Sequence, residues 1–176
     1  MAIAKRKKKF FDVGIPLINK QTQLRAFEPS ELKGRFLKYD LTRLLRGKSM
    51  ILTLKVKLEK DRLTTIPKKI VLMPYFLRRM VQKGTDYVED SFSAECKDAK
   101  LTIKPFLITR RKVSRAVRKA LRNKAREELI KYIKEKTAEE LFNEIIKNHL
   151  QKPLSLKLKK IYPLALCEIR IFEVKK

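Results

Sequence analysis

RRKVSRAVRKALRNKAREELIKYIKEK, residues Arg110 to Lys136, is the stretch around which the rest of the chain is read. Val113, Ala116, Val117, Ala120, Leu121, Ala125, Leu129, Ile130 and Ile133 recur at steps of three and four, the spacing of one stripe on an α-helix. Neither Gly nor Pro interrupts the run, and Ser114 and Asn123 are its weak helix formers. The expectation is a long helix that lays its apolar stripe on a sheet. Between Arg110 and Arg126 stand nine Lys or Arg and no carboxylate, with Arg111, Arg115, Arg118, Lys119, Arg122 and Arg126 on or beside the face opposite the stripe. An ordinary solvated face mixes signs at i,i+4. Here like charges one turn apart repel, and a polyanion relieves them. Carboxylates begin only at Glu127 and Glu128, so the first half is expected to meet the anion and the second half solvent or protein.

Working outward, the segments on both sides read as strands. Residues 49–60 alternate Met50, Leu52, Leu54, Val56 and Leu58 with Ile51, Thr53, Lys55, Lys57 and Glu59, a period of two with one buried face. Further strands are expected at 17–27, 32–41, 64–73, 86–97, 100–110 and 164–174. Pro105 places its strand at an edge or a bulge. Pro74–Lys83 suits a short helix with Pro at its first position and Gly84 as its stop. Thr137 followed by Glu140 is a capping box opening a helix with Leu141, Phe142, Ile145, Ile146 and Leu150 on one stripe, and 153–162 suits another short helix. The fold class is α+β: a mostly antiparallel sheet curling into a partial β-barrel, with a long basic helix and shorter packing helices. Residues 1–9, ending in the cations Lys5, Arg6, Lys7, Lys8 and Lys9, read as a basic arm, and 10–176 as a single domain.

With 45 Lys and Arg against 19 Asp and Glu, the net charge is +26, which would weaken a compact state left unneutralised. The partner is expected to be RNA, DNA or an anionic membrane. The membrane reading is weak, because the longest apolar run, Ile70–Leu77, is too short to span a bilayer and contains Pro74. The N-terminus has no apolar signal core, so secretion is not expected. Cys96 and Cys167 read as small cysteines of a reducing compartment.

No catalytic constellation emerges. His149 stands alone near a helix end, two cysteines and one histidine lack zinc spacing, and no Gly-rich phosphate loop is present. Asp86, Glu89, Asp90 and Glu95 mix both faces of one hairpin arm, which suits a solvated edge better than a metal site. Tyr75, Phe76, Tyr87, Phe92 and Phe106 lie near basic residues. Such aromatics stack bases when they face outward and are ordinary core when they do not. The residues alone thus reach a basic α+β domain that binds nucleic acid through phosphates, without separating RNA from DNA.

Whole segments carry a resemblance. Lys9-Phe10-Phe11-Asp12-Val13 with Pro16, Leu32-Lys33-Gly34-Arg35 with Asp40-Leu41, the Arg78–Lys104 region, Phe106-Leu107-Ile108-Thr109-Arg110-Arg111 and Ile161-Tyr162-Pro163-Leu164 occur in one order. In that order they resemble the archaeal and eukaryotic small-subunit ribosomal protein family called S-one, e-type, or S-three-A-e. The short tails beyond Ile3 and Val174 look archaeal, and Lys97-Asp98-Ala99-Lys100 departs from the family's Gly-bearing hairpin tip. The resemblance implies a cytoplasmic, non-enzymatic structural constituent of the small ribosomal subunit, on the platform near the messenger exit. Its implied partners are ribosomal RNA and neighbouring small-subunit proteins, with messenger RNA near the exit as a further candidate, and no cofactor, membrane or small-molecule substrate. The RNA-binding residues are expected to be Lys5, Arg6, Lys7, Lys8, Lys9, Lys33, Gly34, Arg35, Arg110, Arg111, Lys112, Arg115, Arg118, Lys119, Arg122, Lys124 and Arg126. A DNA-compacting chromatin-type protein is the alternative, and an RNA-processing enzyme a third reading that the lone histidine argues against.

Overall fold

A computed structural model describes residues 7–59 and 62–175. They fall into two compact units, one from the residues up to Tyr39 and Thr53–Lys68, the other from Asp40–Leu52 and the residues from Lys69 on.

The first unit begins with β1 (Lys9–Ile15) and β2 (Lys20–Ala26), joined through a 3-10 turn at Pro16–Ile18 and paired antiparallel from Lys9↔Ala26 to Ile15↔Lys20. A second 3-10 turn at Pro29–Leu32 leads into β3 (Phe36–Asp40), which pairs with β4 (Met50–Glu59). The alternation read along 49–60 is realised in β4: Met50, Leu52, Leu54 and Val56 are buried and the residues between them are not. β5 (Arg62–Leu72) follows, and β1 meets it in parallel at Gly14↔Thr64. There the Thr65 hydroxyl donates to the Gly14 carbonyl at 3.1 Å. Val13, Ala26, Leu32, Val56 and Leu63 form this unit's apolar centre, with Phe11, Leu24 and Leu58 packed against it. Gly34 stands at φ +83 between the second turn and β3, where a side chain is strained, and its N–H donates to Val56 O at 2.9 Å.

In the second unit α1 (Pro74–Met80) follows β5 with Pro at its start, as expected. β6 (Tyr87–Glu89) and β7 (Phe92–Glu95) replace the single strand expected over 86–97, because Asp90-Ser91 breaks the run. Both pair with β8 (Lys100–Thr109), whose other edge pairs with β9 (Leu164–Lys175). Pro105 therefore sits in an interior strand, and the ladder accommodates it by a register shift at Lys104/Pro105, the bulge of the two options. β9 also pairs with β5 through Lys69↔Glu173, Ile70↔Phe172 and Val71↔Ile171.

Helices α2 (Arg115–Lys134), α3 (Ala138–Ile146) and α4 (Gln151–Leu158) complete this unit. Phe142 of α3 meets Phe172 of β9 edge to face at 4.9 Å, both fully buried. Both cysteines are free, and burial first, then the Glu168 charge, pushes the Cys167 thiol up to about 12, so it stays protonated and inert. The capping box is formed: Thr137 Oγ1 accepts from Glu140 N at 3.4 Å, and Glu140 accepts from Thr137 N at 3.0 Å. Thr137→Ala is expected to destabilise the fold by about 1 kcal/mol, read as a lower midpoint in urea unfolding. The Thr137 backbone N–H holds the Glu140 carboxyl below its usual 4.5. A depressed carboxylate stabilises above its unfolded value, so this contribution is complete at neutral pH and fades as pH falls below 4.5 toward the folded value.

The α+β class stands, but the mostly antiparallel sheet does not close into a barrel. Closure of the first unit would need a backbone ladder on the second edge of β2, which pairs with no strand among the described residues. Instead Pro29 turns the chain away, and the Arg35 guanidinium, not a strand, bonds the Arg25 carbonyl at 3.3 Å.

Candidate nucleic-acid interface

α2 is shorter than the 110–136 read from the sequence. Ser114 caps it, accepting from Val117 N at 3.4 Å, and Arg110–Val113 lead up to it outside the helix, with a bend at Arg110 and Arg111. Two contacts hold that leader. Arg110 N donates to Pro163 O at 3.3 Å, and Val113 N donates to an Asp86 carboxylate oxygen at 2.9 Å. Thr109 finishes the clamp: its backbone N–H donates to Asp86 O at 2.8 Å, its hydroxyl oxygen accepts from Asp86 N at 3.1 Å, and the hydroxyl donates to Arg111 O at 2.7 Å.

The apolar stripe is narrower than its pattern. Leu121, Ala125, Leu129 and Ile133 are buried, at a strict spacing of four, whereas Ala116 and Ala120 are exposed and Val113, Val117 and Ile130 half-buried. A single seam suffices because β6, β7 and α4 cover α2 along one line. Each buried Leu or Ile contributes about 1.5–3 kcal/mol by leaving water.

The cations divide by what they touch. Arg110, Arg111, Lys112, Arg115, Lys119 and Arg122 are exposed and, among the described residues, make no ion pair. Arg118 is half-buried, with its Nε buried and unpartnered. Lys124 pairs with Glu128 at 3.3 Å and lies 3.8 Å from Glu127, and Arg126 lies over the buried Phe92 ring at 5.5 Å. Glu128 also takes Lys157 of α4 at 2.6 Å, and that bond, ahead of the one from Lys124, holds its carboxyl below the usual range. Lys124, Arg126, Glu127 and Glu128 thus meet partners on their own protein, while Lys131 and Lys134 are exposed. The first half begins with cations and no acid in its first turn, where the helix dipole already favours an anion.

In the first unit Lys7, Lys8 and Lys9 are exposed, and Lys9 is already part of β1. Lys8 lies over the Phe27 ring at 5.3 Å and Arg25 over Phe10 at 6.0 Å. Lys33 and Arg35 are exposed on either side of Gly34, whose positive φ is a backbone reason for the glycine. Lys5 and Arg6 lie outside the described residues.

The acidic hairpin arm resolves into separate partners. Asp86 holds the leader of α2, Glu89 takes the Arg170 guanidinium at 3.0 and 3.1 Å, Asp90 accepts from Ser91 N, and Glu95 lies 3.8 Å from Lys100. Among the described residues no group of three or more His, Cys, Asp or Glu is placed to hold a metal ion, and no helix is long and apolar enough to cross a membrane. Of the aromatic residues, Phe76, Phe92 and Phe106 are core, while Tyr75 and Tyr87 are 50% and 54% exposed. Phe10 and Phe36 are exposed too, and their place beside cations in the sequence is the signal that marks them.

Comparison with known proteins agrees with this pattern. The profile of the Ribosomal S3Ae family matches residues 4–176. The small ribosomal subunit protein eS1 of Nanoarchaeum equitans (strain Kin4-M) is 27% identical over 176 residues, covering 95% of this chain and 88% of that protein. A family match across nearly the whole length, on an α+β fold with a cationic helix face, gives the conclusion that the chain belongs to the Ribosomal S3Ae family.

Proposed function

We propose that this chain is a non-enzymatic structural component of the small ribosomal subunit in the cytoplasm, binding ribosomal RNA by neutralising phosphates. One observation carries the reading: the exposed cations from Arg110 to Arg122 have no carboxylate among them and, among the described residues, no ion-pair partner, in a chain of net charge +26. Lys5–Lys9, Lys33 and Arg35 supply a second cationic set, and Lys124 and Arg126 adjoin the first. Neighbouring small-subunit proteins are the further partners, and a position on the platform near the messenger exit, within reach of messenger RNA, is what the family resemblance supports.

Co-sedimentation with small subunits, combined with competition between ribosomal RNA and duplex DNA at one salt concentration, tests this. The protein is expected to travel with small subunits and to be displaced by ribosomal RNA before duplex DNA. Failure to co-sediment, with equal or tighter binding to duplex DNA, would replace this reading with the DNA-compacting one.

A further inference from the structure

We infer that the groove beside Tyr87 takes one unpaired nucleobase of the bound RNA; this rests on the RNA-binding reading above and names a site within it. Tyr87 stacks one face of its ring on Phe106, with centroids 5.7 Å apart and planes 18° from parallel. More than half of the residue stays in water. A ring stacked on one side and open on the other is half of a base sandwich, and every base has a planar face to supply the other half.

The groove extends from that open face. It encloses about 360 Å³, within the roughly 300–1,000 Å³ of small-ligand clefts. Leu77, Val81 and Phe106 give it an apolar lining, and Arg78 and Arg170 stand at its rim. Glu89 is engaged by a single nitrogen of Arg170, so the other guanidinium N–H groups remain as donors for a base edge or a phosphate. Glu89 and Arg170 also line an adjoining hollow of about 500 Å³, which adds Lys104 and Arg122. Asp86, which precedes Tyr87 in the chain, holds the leader that carries Arg110, Arg111 and Lys112.

The surroundings select the occupant. An apolar peptide segment would use the lining but not the cations in and beside it, Arg78, Arg170, Lys104 and Arg122. A duplex backbone would use the cations but has no planar group to offer Tyr87. A single unpaired nucleotide uses both: its base against Tyr87, its flanking phosphates toward Arg78, Arg170, Lys104 and Arg122.

The test is titration of the full chain into a single-stranded oligoadenylate carrying one 2-aminopurine, with duplex RNA of equal length as reference. Wild-type protein is expected to change the 2-aminopurine emission by stacking. Tyr87→Leu is expected to weaken single-strand binding roughly tenfold with an unaltered salt slope, because a stacked base releases no counterion. Tyr87→Phe should match wild type, and all three should bind the duplex equally. No emission change with wild-type protein overturns the site without needing any variant to fold. Unchanged oligoadenylate affinity in Tyr87→Leu overturns it too, and if that variant instead loses only association with small-subunit proteins, the groove is a protein dock. If wild type binds no RNA at low salt, the RNA-binding reading falls as well, which separates the two failures.

Discussion

Replacing Arg115, Lys119 and Arg122 together by Gln is expected to cut affinity for ribosomal RNA about a hundredfold near physiological salt while leaving the fold intact. Each neutralised phosphate contributes a counterion-release slope of about −0.7 to −0.9 in log K against log salt, so three lost contacts flatten the slope by about 2–3. Compounded from molar salt down to about 0.15 M, that difference is roughly two decades in the binding constant. The fold should tolerate the change because these side chains are exposed and make no ion pair among the described residues. Removing like charges from the first turns of α2 also relieves repulsion and the unfavourable pairing with the helix dipole. The measurement is a salt titration of RNA binding paired with a thermal melt. An unchanged slope would mean that phosphates sit elsewhere. Lys124→Gln and Arg126→Gln are the natural contrast, since both cations are engaged by Glu127, Glu128 and Phe92.

Lys48→Ala is expected to have the largest effect on stability, lowering it by about 3 kcal/mol, or roughly 6–12 °C in Tm. The Lys48 ammonium donates to Glu168 at 2.6 Å and to Asn148 Oδ1 at 2.7 Å, with the two charged side chains only 10% and 13% exposed. Truncation leaves Glu168 with one long bond from Gln151 Nε2 at 3.4 Å, and a carboxylate so nearly out of water is costly when its cation is gone. Replacing both members, Lys48→Met with Glu168→Leu, should return most of the loss, since neither buried charge is then left alone. Equal melting of Lys48→Ala and wild type would show that water reaches the site freely.

Regular patterns were legible in the sequence, and local interruptions were less so. β4, the opening of α1, the capping box at Thr137 and the family-wide motif order each rest on several residues that agree. The start of α2 did not, because Arg110–Val113 share the composition of the helix that follows. Bonds to Asp86, more than twenty residues upstream, to Thr109 and to Pro163 hold them outside the helix. Asp86 was legible as one acid in a hairpin, not as a partner for a distant backbone N–H. The division of the cations was half legible: Glu127 and Glu128 marked where the bare face ends, but Lys157 and Phe92 are neighbours in space only. The aromatic residues behaved likewise, since Tyr87 and Phe106 look equivalent in sequence, yet Phe106 is buried and Tyr87, stacked on it from the same face, stays 54% exposed.

The position of β9 between β5 and β8 imposes an order of events on the growing chain. Lys69, Ile70 and Val71 have their ladder partners at Glu173, Phe172 and Ile171. That edge of β5 therefore stays open while about a hundred further residues are synthesised, and the second unit cannot close during most of its own translation. During that interval its strands offer unpaired backbone and apolar side chains, while the cations of α2 are already made. A protein with this topology finishes folding late, with its polyanion-seeking surface present before its sheet is whole.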